Sequence, residues 1–140
     1  MAHLVETMAY SGEKPWHGLG VPVEPDLTPD EMVVKAGLDW NVSKHKLVTA
    51  SGLDVMIEGK PRYALMRDTD GATMCLCADK YKPVQNVEAF QFFDKFVKAG
   101  NMTMETAGSL DNGRRIWGLA RMKNSDFIVA NKNDKIESFV

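Results

Sequence analysis

Three sets of side chains in this sequence are able to carry chemistry: two cysteines, a histidine beside a tryptophan, and cations spaced around aromatic rings. Cys75 and Cys77 stand two positions apart in the run 73–78 (TMCLCA), so on a strand they share a face. A metal site needs more ligands, and His3, His17 and His45 fall at no finger or ribbon spacing from them. Small buried hydrophobes with reduced thiols are the better reading, because neighbours on one strand close almost no loop. In Trp16-His17-Gly18-Leu19-Gly20 a histidine is held beside an indole and could act as acid, base or ligand. No partnered carboxylate or nucleophile can be picked out for it, so the favoured alternative is that Trp16 fills a hydrophobic hole and His17 caps a turn. His17 is left as the one catalytic candidate. Asp68 and Asp70 sit in a turn, where aspartate is favoured for its local hydrogen bonds. There is no nucleophile elbow, P-loop, dinucleotide fingerprint or H-E-x-x-H, so no metal and no cofactor is expected and the chain leans away from being an enzyme.

The cations are more suggestive. Arg115, Trp117, Leu119, Arg121 and Lys123 share one parity on a strand, and Lys44 and Lys46 fall in phase with Trp40. A ring framed by positive groups suits a single nucleic-acid strand, with cations on phosphates and stacking contributing ~1 to 3 kcal/mol per base. The competing reading is a buried tryptophan with basic neighbours snorkelling at the sheet rim.

These residues must be positioned by an ordered series of elements. Residues 1–27 hold Pro15, Pro22 and Pro25 with Gly12, Gly18 and Gly20, which predicts an irregular arm lying against its own domain or a neighbouring subunit. Thr28-Pro29-Asp30-Glu31 is a capping box with proline in the first turn, and Leu27 with Met32 is spaced as a hydrophobic staple; Gly37 ends this short helix. Strands follow from Trp40 to about 49, at 54–57, at 62–67 and at 73–78, and then a polar box 79–86 (DKYKPVQN) leads into a helix over 86–99 that stops at Gly100. On that helix Ala89, Phe90, Phe93, Phe96 and Val97 form the core stripe, while Phe92 lies off it as a candidate subunit contact. A hairpin through Asp111-Asn112-Gly113 joins 102–107 to 114–122, and 126–130 adds one more strand. The expectation is an α+β fold, an antiparallel sheet covered on one face by helices, with an arm at 1–27, a core at 28–130 and a flexible end at 131–140.

With 140 residues, 44% hydrophobic and 26% charged, the composition is ordinary for a globular domain. The N-terminus has no basic head before a long apolar stretch, and no apolar run exceeds the five residues 74–78, so neither a signal peptide nor a membrane partner is expected, and the cytoplasm is the expected compartment. The net charge of −2 is unevenly spread. Residues 1–43 carry two basic and seven acidic groups, and residues 44–140 carry fifteen basic and twelve acidic, which permits an anionic partner on one face.

Four boxes recur together in order: Gly12-Glu13-Lys14-Pro15-Trp16-His17-Gly18-Leu19-Gly20, Thr28-Pro29-Asp30-Glu31 leading to Ala36-Gly37-Leu38-Asp39-Trp40, the box 79–86, and Arg115-Ile116-Trp117-Gly118-Leu119-Ala120. With them the chain resembles the phage- and plasmid-related family known as domain of unknown function 932, whose members are usually longer and whose activity is not established. That resemblance implies a mobile-element protein in a bacterial host cell. The order of strands, basic hairpin and covering helix is in turn similar to the Redβ/RecT-like single-strand annealing proteins, which implies a DNA-handling homo-oligomer that binds single-stranded DNA in recombination. By that analogy Lys44, Lys46, Lys80, Lys82, Arg115, Arg121 and Lys123 contact phosphates, with Tyr81 or Trp117 as stacking platforms. An alternative is an enzyme or ligand-binding domain for a small molecule or nucleotide, with His17, Lys80, Tyr81, Gln85 and Asn86 at the site. Another is a phage interaction or counter-defence module with an exposed apolar arm.

Overall fold

The computed structural model describes residues 4–123, together with the backbone of Phe127–Val129 and Asp134–Ile136. The fold is α+β, and the chain divides into two compact units, 1–39 with 86–140 and 40–85. A single core over 28–130 is therefore replaced by a discontinuous unit with a second one inserted in it.

The discontinuous unit is built on a mixed sheet. Its strands are β1 (Val5–Tyr10), β2 (Val21–Pro22), β7 (Met102–Leu110) and β8 (Arg115–Met122), in the order β2-β1-β7-β8 among the described residues. β2 runs parallel to β1, and the other pairings are antiparallel. β1 departs from the irregular arm expected over 1–27: the glycines and prolines all lie at or beyond Gly12, so nothing upstream breaks a strand. The arm proper spans 11–20. It is tied to β7 by Ser11, whose N–H donates to Glu105 O and whose Oγ donates to Met104 O.

One face of this sheet is covered by α1 (Pro29–Lys35) and α2 (Asn86–Lys98). α1 starts where its capping box requires: Glu31 N–H donates to Thr28 Oγ1 at 3.2 Å and the Glu31 carboxylate reaches back to the Thr28 N–H. Met32 and Val33 of α1 and its C-cap Ala36 meet Phe90 and Phe93 of α2 over Ala9, Met104 and Ala120. Ala89, expected in the stripe, is exposed, and Val87 packs instead; Phe92 is 58% exposed. A bulge between Met104 and Thr106 shifts the phase of β7, so Ala107 rather than Thr106 faces the core.

On β8 the helix-facing residues are Ile116, Gly118, Ala120 and Met122; a Cβ on Gly118 would stand 2.9 Å from the Phe90 ring. The alternation places Trp117 on the other face, opposite Gly108 in register. A Cβ at Gly108 would meet Trp117 Cζ2 at 2.6 Å and Thr7 O at 2.5 Å, so only glycine lets the indole lie on the sheet there.

The inserted unit is an antiparallel sheet of β3 (Val42–Lys46), β5 (Lys60–Arg67) and β6 (Thr73–Ala78), with β5 central, and β4 (Met56–Ile57) folded onto the start of β5. Cys77 is buried as expected of a small hydrophobe, but Cys75 is exposed. The Asp68–Gly71 turn is held from two sides: Asp68 accepts the N–H of Asn41, just before β3, and Asp70 takes two bonds from Arg67 of β5, whose guanidinium lies 5.1 Å from the Trp40 ring. β9 (Phe127–Val129) falls in the strand expected at 126–130 and pairs antiparallel with β10 (Asp134–Ile136), which lies in the segment expected to be a flexible end; the rest of 131–140 lies outside the described residues. No described helix is long and apolar enough to cross a membrane.

Two outcomes follow. Gly108→Ala sets a methyl against backbone as well as a ring, which should destabilise by about 1–3 kcal/mol in urea unfolding. Arg67, with the Ala72 N–H, holds the Asp70 carboxyl at about 2, below its ordinary value. A depressed carboxyl stabilises the fold above its unfolded value of roughly 4 and loses that effect as pH falls through about 2. Unfolding midpoints taken between pH 5 and 2 should therefore fall less steeply for Asp70→Asn than for wild type.

Candidate functional site

The polar box 79–86 is a loop whose backbone is clamped from below. Lys44 Nζ donates to the carbonyls of Asp79 and Tyr81, lies 4.9 Å from the Tyr63 ring and approaches the Asp79 carboxylate at 3.9 Å. Asp79 accepts the Tyr63 hydroxyl, and that bond holds the phenol above its ordinary pKa. The Gln85 amide then makes a two-point clasp on Val42, accepting its N–H at 2.8 Å and donating to its carbonyl at 3.0 Å, as a paired strand would. Asn86 belongs to the other unit, where it donates to Leu38 O at 3.0 Å.

With the main chain pinned in this way, the side chains between the clamps are left outside. Lys80, Tyr81 and Lys82 are exposed, Tyr81 by half, and neither lysine makes an ion pair among the described residues. Lys46, by contrast, is paired with Asp54 at 2.7 Å, which raises its pKa. Lys44 and Lys46 thus serve the inserted unit's own structure and are not an open cationic face.

In the discontinuous unit, Trp117 sits on the outer sheet face, half-buried, with Nε1–H donating to Thr106 Oγ1 at 3.2 Å. Arg121 shares that face but donates to Glu105 at 3.3 Å; Arg115 and Lys123 are exposed. The tip of the arm turns above Trp117. Pro15 O accepts the Gly18 N–H, and His17 Nδ1 accepts the Leu19 N–H at 3.1 Å, so the neutral ring carries its proton on Nε2. His17 caps its turn as expected, but Trp16 fills no hole: it is 89% exposed and touches His17 edge-on, with ring centroids 5.2 Å apart. Trp16, His17 and Glu13 with Tyr10, Glu105 and Trp117 bound a cleft of about 300 Å³.

The expected set of site residues is thus distributed over both units. Lys44, Lys46, Lys80, Tyr81 and Lys82 belong to the inserted one; His17, Arg115, Trp117, Arg121 and Lys123 belong to the other. Seven basic and five acidic groups lie in 40–85, against ten and fourteen in the remainder, so positive charge concentrates in the insert. Strand parity could not show that Trp117 has an arm bearing Glu13 beside it, because the arm's path is a long-range feature. No curated protein and no solved structure matches the chain. Residues 75–140, which take in the clamped loop, α2 and the β7–β8 hairpin, match the family described as Domain of unknown function (DUF932), and it is to this family that the segment belongs.

Proposed function

We propose that the chain is a DNA-handling domain that binds single-stranded DNA through the inserted unit, with Tyr81 as the stacking platform and Lys80 and Lys82 on the flanking phosphates. The observation that carries this reading is the half-exposed ring between two exposed lysines on a loop held rigid by Lys44 and Gln85. A preorganised ring loses little conformational freedom when a base stacks on it, and stacking leaves base edges open to a second strand. The process so assigned is annealing by an oligomer on a mobile element, which breaks no covalent bond.

Because Lys44, Lys46 and Arg121 already have protein partners, few counterions are released. In fluorescence anisotropy with a labelled oligothymidylate, log K against log salt should slope by roughly −1.4, the value for two phosphates on a single strand. Tyr81→Ala should weaken binding at least about fivefold, and Lys80→Ala with Lys82→Ala should flatten the slope. Undetectable binding at low salt by the folded protein, or a Lys80→Ala/Tyr81→Ala/Lys82→Ala variant that binds normally, overturns the reading.

Lys44 acts through the loop rather than on the strand. Lys44→Met should weaken binding by about threefold while the salt slope stays as in wild type, since the released counterions are unchanged. A slope reduced by one phosphate would instead make Lys44 a direct contact.

A further inference from the structure

The cleft under the arm is not used by that reading, and its chemistry is of the opposite sign. Its floor is an indole whose only donor is already taken by Thr106, so Trp117 offers a ring face and no hydrogen bond. Its wall is Trp16, a large apolar side chain 89% exposed at the tip of a tight turn. Its polar end carries two carboxylates, Glu105 and Glu13. Glu105 shares Arg121, whereas Glu13 has no cation of its own among the described residues. π faces and carboxylates both attract positive charge, and neither suits a phosphate.

The arm is shaped to hold these groups in place. Ser11 fixes its root on β7, and at its far end Gly20 passes so close to the sheet that a Cβ there would meet Met8 Cγ at 2.6 Å. Between the two anchors, the Pro15–Gly18 turn carries Trp16 at the cleft's edge. A volume of about 300 Å³ is at the lower end of small-molecule sites, which run from roughly 300 to 1,000 Å³.

From this geometry we infer that the cleft is a binding site for a small organic cation of the alkylated ammonium class, held between Trp16 and Trp117 with Glu13 as its counter-charge. This site is independent of DNA binding by the inserted unit. The bound cation covers the exposed indole of Trp16 and meets the unmatched carboxylate in one step.

Choline and its neutral carbon isostere, 3,3-dimethylbutan-1-ol, separate charge recognition from apolar filling when titrated into the full chain by tryptophan fluorescence and calorimetry. Choline should bind saturably, and the isostere at least about tenfold more weakly. Trp16→Ala, a surface change whose fold is checked by circular dichroism, should cost about tenfold, and Glu13→Gln about threefold. Equal binding of the isostere, wild-type affinity in folded Trp16→Ala, or no saturation up to about 50 mM choline overturns the proposal. Tighter binding of adenosine monophosphate than of choline also overturns it, by showing that the cleft takes an anionic aromatic ring. Loss of oligonucleotide binding would leave the choline result untouched, so the two readings fail separately.

Discussion

Two glycines on neighbouring rungs of the β7–β8 pair set what either side of that sheet can hold. Gly118 leaves room for Phe90 and Phe93 of α2, and Gly108 leaves room for the Trp117 indole on the opposite face. A side chain at the first would push the helix away from its core. At the second it would lift the ring off the sheet. The hydrophobic packing of the discontinuous unit and the floor of its cleft therefore depend on the same stretch of bare backbone, where aromatic rings lie within van der Waals reach of the main chain on both faces.

The inserted unit solves a different problem, that of holding a polar loop still without burying it. Its loop has few internal hydrogen-bonding partners, so contacts to β3 and β5 serve in their place: the Lys44 ammonium under two carbonyls, the Tyr63 phenol on a carboxylate, and the loop's own Gln85 amide clasping Val42. Each of these contacts is partly open to water, where any single ion pair is worth little. Their combined effect is geometric, since they tie the loop at Asp79, Tyr81 and Gln85. The exposed lysines and tyrosine gain their presentation from that restraint.

Local signals were readable from the residues alone. The capping box of α1, the stop at Gly100, the Asp68–Gly71 turn and the β7–β8 hairpin are each written within a few positions and appear as expected. What could not be read depends on distant neighbours. Val5–Tyr10 was masked by the prolines and glycines that follow it, although none stands within the strand itself. Parity put Trp117 and Arg121 on one face correctly, yet said nothing of Glu105, which claims the arginine, or of the arm folded above the indole. The phase slip at Met104 is invisible to any fixed period. Trp16 shows the limit most clearly, because a tryptophan among prolines reads as buried by type and is open by position.

The hydrogen bond from Asn86 to Leu38 joins the two places where the discontinuous unit is interrupted. Forty-six residues, Trp40 to Gln85, leave and re-enter through one small gateway, and the host's own core residues lie wholly outside that span. A guest so rooted can be shortened, lengthened or swapped without rethreading its host. Changes of length or sequence between Trp40 and Gln85 then leave the packing of the host core untouched.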